Sequence, residues 1–261
     1  MSHEYRTEVT AETAADPEAI WQAIATGPGL DAWYMGSNTV TPPGPDGTGG
    51  IVTTSFGEYQ PVSDIVAWDP PHHLAHRERP GADGGFIAYE YLIEGRDDST
   101  SVVRLVVDGL LPQDDWEDEF EAMTLGGQLF LATTLEYATY FSGRTATPVL
   151  TFSPSVEDWD DAWRHVRAEL GLGESVTVGD RATVTLPGQD PVDGVVYGVN
   201  SHTLGIRTDT ALLRILRGFN GSLMTMHALF QPVAPDEFEA TNEAWTAWVT
   251  AAVHAPEGAA S

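Results

Sequence analysis

The sequence predicts an α+β protein: an antiparallel sheet covered by a long helix, then a second α+β half built in the same order. Three observations carry this. Between Ile51 and Asp108 the apolar residues recur with period two in short runs broken by turn residues. A helical stripe over Leu125–Tyr140 follows, with Leu129, Ala132, Leu135 and Thr139 on one side. After Gly143–Pro148, which reads as a linker, the order helix, strands, helix returns.

Taken in order, His3 to Thr10 reads as a strand. Asp16-Pro17-Glu18 opens a helix, with Asp16 as N-cap and Pro17 at the first helical position, where a missing N–H costs nothing. Ala19, Ile20, Ala23 and Ile24 form its apolar stripe, and Gly27-Pro28-Gly29 is expected to end it. Leu30 to Met35 reads as a second short helical piece closed by Gly36, and Thr41 to Gly50 as a loop. The strand-like runs are Ile51–Phe56, Gln60–Trp68, Leu74–Arg79, Phe86–Glu94 and Val102–Asp108, with a hairpin at Gly95–Ser99. In the last strand Val103, Leu105 and Val107 share one face.

In the second half Val149–Phe152 is strand-like. A helix expected from Ser155 carries Trp159, Trp163, Val166 and Leu170. Strands follow at Ser175–Leu186, Gly194–Asn200, Thr203–Thr208, Leu212–Gly218 and Leu223–Phe230, with a turn at Gly218–Gly221. A closing helix, Asp236–His254, turns Trp245, Trp248, Val249 and Ala252 inward. The domains read as 1–145 and 146–261.

Composition excludes several functions. The 261 residues carry 39 acids against 12 cations, all arginine, for a net charge of −27. That field repels nucleic acid and anionic membranes. The acids concentrate in residues 1–145, which hold 24 of them against six Arg; this reads either as attraction of a cationic partner or, as the favoured reading, as an acidic surface that keeps the protein soluble. With no cysteine there is no disulfide, no thiolate nucleophile and no cysteine-bound zinc. No secretory leader or spanning segment is read, so a cytoplasmic location is expected.

Few residues offer chemistry. His72, His73 and His76 form the densest histidine group, but on a strand His72 and His76 share a face with Leu74 while His73 points away, so no metal site is expected. His76 stands either as a ligand or catalytic group or as a satisfied structural histidine. The run Asp114–Glu121 lacks the spacing of a calcium loop and reads as an acidic helix start. In Phe86–Glu94, inward Tyr89, Tyr91 and Ile93 leave Glu90 and Glu94 solvated; the other register would bury Glu90, a carboxylate then needing a partner. No Gly-x-Ser-x-Gly elbow, no lysine for a Schiff base and no phosphate loop is present.

The run Ala14-Ala15-Asp16-Pro17-Glu18-Ala19-Ile20-Trp21-Gln22-Ala23-Ile24 resembles the opening of the SRPBCC (START-like) superfamily. Its branch of bacterial relatives of the heat-shock-protein ATPase activator (AHSA-type) also has counterparts of Leu30-Asp31-Ala32-Trp33-Tyr34, Asp69-Pro70-Pro71-His72-His73-Leu74 and Val107-Asp108-Gly109-Leu110. The resemblance covers about residues 5–142, with two histidines in place of a usual basic pair. It implies a helix-grip fold, a curved antiparallel sheet wrapped around a long C-terminal helix with an apolar cavity between them. By this resemblance Trp33, Tyr34, His76, Tyr89, Tyr91, Leu105 and Leu129 are the cavity candidates. Residues 146–261 read as a degenerate second helix-grip unit or as an extension. The function implied is binding of a small hydrophobic molecule without a cofactor. A cyclase, aromatase or hydrolase acting on such a molecule is the alternative, and a co-chaperone-like interaction module the third. A homodimer is compatible with this; a chaperone, nucleic-acid or membrane partner is not expected.

Overall fold

A computed structural model describes residues 3–56, 59–81, 84–96, 100–111, 116–185, 190–218 and 221–253. The chain divides into two compact units, Met1–Ala146 and Thr147–Ser261. Each is α+β with one antiparallel sheet.

In the first unit, β1 (His3–Thr13) is followed by α1 (Pro17–Ala25) and α2 (Gly27–Asp31). Asp16 caps α1 as expected, its carboxylate accepting from Ala19 N at 2.7 Å. Gly27-Pro28-Gly29 does not simply stop this helix. Thr26 ends α1 and its hydroxyl caps α2, whose first turn is those three residues, with Pro28 where no N–H is needed. The second short helix thus starts three residues earlier than the sequence reading placed it. Gly29 is required by proximity, since a Cβ there would stand 2.1 Å from Gln22 O. Gly36 has φ 67° and reverses the chain into β2.

The strands that follow are β2 (Ser37–Thr41), β3 (Ile51–Ser55), β4 (Val62–Asp69), β5 (His73–Glu78), β6 (Phe86–Gly95) and β7 (Ser101–Leu111). They form one sheet in the order β1-β7-β6-β5-β4-β3-β2. β2 is absent from the sequence reading, because Ser-Asn-Thr-Val-Thr carries a single aliphatic residue. α3 (Trp116–Glu136) packs against β1 and ends in a widened π-helical turn, Tyr137–Phe141. It is longer than the predicted helix, and its buried face is wider, adding Leu131, Thr134 and Ala138 to Leu129 and Leu135. The buried hydroxyls of Thr133 and Thr134 bond back to Leu129 O and Phe130 O, one turn earlier.

The second unit opens with β8 (Thr147–Ser155), so Thr147 and Pro148 are strand and not linker. α4 (Trp159–Glu169) starts later than Ser155, because Asp158 is its cap, accepting from Asp161 N at 2.9 Å. Then come β9 (Arg181–Val184), β10 (Val192–Val199), β11 (Thr203–Arg207), β12 (Ala211–Arg217), β13 (Ser222–Leu229) and α5 (Pro235–Val253). The sheet order β8-β13-β12-β11-β10-β9 repeats that of the first unit: first strand beside last, the rest a meander. α5 lies on β8 and β13 as α3 lies on β1. Trp163, Val166, Val196, Ile206, Leu213, Leu223 and Trp245 fill its core. This order is consistent with a helix-grip plan used twice.

The predicted turns at Gly95–Ser99 and Gly218–Gly221 and the start of the acidic run at Asp114 lie partly outside the described residues. Among the described residues no helix is long and apolar enough to cross a membrane.

Candidate functional site

A small cavity in the first unit is built from cross-strand register. β5 turns Leu74, His76 and Glu78 to one face, and His76 pairs with Tyr89 on β6 as Leu74 pairs with Tyr91. On the other side His76 pairs with Ile65, and Glu78 with Ser63, which in turn pairs with Val52 on β3. Asn38 on β2 pairs with Thr54 on β3. Leu30 of α2 and Trp33 and Tyr34 just after it close the opposite wall. Tyr59 and Pro61, just before β4, complete it.

The structure therefore brings together five of the seven candidate residues: Trp33, Tyr34, His76, Tyr89 and Tyr91. Leu105 and Leu129 are buried in the unit's core but do not line this cavity. None of the described α3 residues does. The cavity lies between the sheet and the α2 segment, and α3 approaches it through Phe130, whose ring is 5.9 Å from that of Tyr34. Asn38, Thr54, Tyr59, Ser63 and Glu78 are wall residues that sequence reading missed. The β3 alternation of Val52 and Thr54 carried a signal for Thr54; Asn38 sits on the unread strand.

Its polar groups follow a fixed proton order. Asn38 Nδ2 donates to Asp31 Oδ1 (3.0 Å) and Met35 O (3.2 Å), both acceptors only, so its amide oxygen faces Thr54. The Thr54 hydroxyl must then donate to Asn38 Oδ1, at 2.8 Å. Tyr34 and Tyr89 share a hydroxyl–hydroxyl bond of 2.9 Å. Tyr59 donates to Glu78 Oε1 at 3.0 Å. Trp33, 2% exposed, spends its indole N–H on Ala23 O at 2.9 Å and presents only its ring.

His76 differs from all of these. It is 8% exposed, stacks on Tyr89 with ring centroids 5.1 Å apart, and its buried Nδ1 has no hydrogen-bond partner among the described residues. Burial lowers its pKa to about 4, so the imidazole is neutral at pH 7. Burial likewise pushes up the phenols of Tyr34, Tyr89 and Tyr91. The other two histidines of the group face elsewhere: His73 Nε2 meets Glu90 Oε1 at 3.0 Å, and His72 Nδ1 lies 3.4 Å from Ile93 O. Glu90 is thus half-exposed against His73 and not in the cavity. No cluster of three or more His, Cys, Asp or Glu that could hold a metal occurs among the described residues.

The cavity's volume is about 30 Å³, room for about two water molecules. A larger guest must move a side chain. Tyr59 is the exposed one, at 49%, tethered by its hydroxyl to Glu78.

No protein-family model matches the chain, and no curated protein matches it. Among solved structures it is similar to the di-domain ARO/CYC BexL from the BE-7585A biosynthetic pathway, at 12% identity over 97% of this chain and 99% of that one, TM-score 0.45. It is also similar to the Aha1 dimer from Colwellia psychrerythraea, at 17% identity over 53% of this chain and 99% of that one, TM-score 0.41. Norcoclaurine synthase from Thalictrum flavum aligns at 17% identity over 52% of this chain and 85% of that one, TM-score 0.38. At these identities the likeness is one of fold.

Proposed function

We propose that this chain is an SRPBCC-type protein that binds a small, largely apolar molecule in the cavity of its first domain, residues 1–145. Residues 146–261 are then a degenerate second helix-grip unit whose interior is filled by Trp163 and Trp245. The observation that carries the reading is His76 Nδ1, buried in an aromatic wall with no partner among the described residues. An unmet buried polar atom costs about 1–3 kcal/mol, and a guest that hydrogen-bonds the imidazole recovers that cost. The wall of tyrosines supplies apolar contact with hydroxyls that orient a polar head.

An enzyme acting on the bound molecule is a second reading, supported by the Tyr34–Tyr89 hydroxyl pair beside His76. Burial works against it, because an imidazole held at about 4 is a weak base at neutral pH and phenols pushed up are weak acids. Positioning suits these residues better than proton transfer.

Titration of the full chain with benzyl alcohol, followed by the side-chain NMR signals of His76 and Tyr89, tests the binding reading. The signals shift with saturation, and His76→Leu weakens binding by about tenfold with an unchanged circular dichroism spectrum. Signals that stay put, or affinity untouched by the substitution, would overturn it.

A further inference from the structure

We infer that Glu78 makes the mouth of this cavity select a ligand bearing a protonated amine over its alcohol and carboxylate analogues. The inference rests on the binding reading above and names the class of ligand.

Among the described residues that line the cavity, Glu78 is the one charged side chain; the others are aromatic, aliphatic, hydroxyl or amide groups and His76. No arginine lies in the wall. The two that flank Glu78, Arg77 on β5 and Arg79 just after it, are engaged elsewhere: Arg79 Nη2 and Nε hold Asp64 Oδ1 at 2.7 and 3.1 Å, and the Arg77 guanidinium lies over the Phe86 ring, 3.9 Å from its centroid. Glu78 accepts a hydrogen bond from the neutral hydroxyl of Tyr59. Its negative charge is felt across the cavity, since it contributes to the raised pKa of both Tyr59 and Tyr34. An anionic head would meet that carboxylate with no cation to offset it. An ammonium would replace the Tyr59 hydroxyl as its hydrogen-bond donor, with full opposite charge and the Tyr59 ring face close by. The exchange also frees the side chain that narrows the mouth, so the group that is favoured electrostatically is the one that opens the way.

Three probes of similar size separate the charges: benzylamine, benzyl alcohol and benzoate. Titrated into the full chain at neutral pH and followed at His76 by NMR, benzylamine binds at least about tenfold tighter than benzoate, because Glu78 attracts the one and repels the other. Glu78→Gln brings the two within about threefold of each other. Glu78→Gln changes a net charge of −27 by only one, so general attraction of amines to an acidic surface would survive the substitution; a preference that persists in the variant overturns the inference. Equal binding of all three by the native chain overturns it too, while leaving the cavity reading in place. No response of His76 to any of them removes the cavity reading and the selection together.

Discussion

Two buried histidines make this protein lose stability in acid. His76 is held at about 4 by burial, and His227 at about 3 by burial and then by the nearby Arg214 guanidinium. His227 is 1% exposed, accepts the Arg214 backbone N–H at Nδ1 (3.1 Å) and packs on Trp245 with ring centroids 4.0 Å apart. Because that N–H can only donate, the ring carries its proton on Nε2. Both folded pKa values lie below the ordinary value of 6.5, so the unfolded chain binds more protons as the pH drops. Their contribution is complete above 6.5 and is lost downward from there, to about 4 for His76 and about 3 for His227. Each costs about 1.4 kcal/mol per pH unit within its window. Urea unfolding at pH 7 and near pH 5 should show His76→Leu losing less stability between the two than the native chain; an equal loss would mean that His76 is not buried neutral. At this same scale the site was partly legible. Strand alternation groups His76 with Leu74 and Tyr89 with Tyr91, because period two needs only neighbours along one strand, and the family resemblance turns those faces inward. Thr54 and Glu78 share the alternation of Val52 and His76, but their meeting at one site with Asn38 comes from pairing across four strands, which no local pattern records.

Helix ends and glycines decide the elements. The Asp16 cap was readable because capping uses residues three apart. The Thr26 cap was not, since Gly27-Pro28-Gly29 reads as a break until the α1–α2 corner is seen to leave no room for a Cβ at Gly29. One substitution therefore has opposite signs at two places. Gly29→Ala drives a methyl into Gln22 O and Ala23 O, at 2.1 and 2.8 Å, and should destabilise by about 3 kcal/mol or more. Gly126→Ala and Gly127→Ala, inside α3, place a methyl where nothing lies within 4 Å, and should each stabilise by about 0.5–1 kcal/mol. Thermal and urea melts of the three variants check both signs. β2 escaped the sequence reading for a related reason: it is an edge strand with one aliphatic residue, and its place is fixed by full pairing with β3 from Ser37↔Ser55 to Thr41↔Ile51.

For the molecule as a whole, the net charge of −27 is a self-repulsion that salt relieves. The cross-strand ion pairs Arg6–Asp108 and Arg104–Glu8 are exposed, with N–O distances of 3.7 Å, and such pairs contribute little. Raising ionic strength from about 0.01 M to about 0.1 M shortens the screening length from about 30 to about 10 Å. Tm should then rise by about 2–4 °C, measured by calorimetry; a fall would mean that the ion pairs outweigh the repulsion. Both sheets set their first strand beside their last, His3 opposite Leu111 in one and Thr147 opposite Leu229 in the other. On the ribosome this imposes a wait. β1 leaves the exit tunnel with its edge bare, and the strand that covers it is made about a hundred residues later. A pause in translation anywhere between β2 and β7 leaves a nascent sheet lacking its closing partner and open to pairing with another chain. Once β7 has arrived, β8 begins the same wait again.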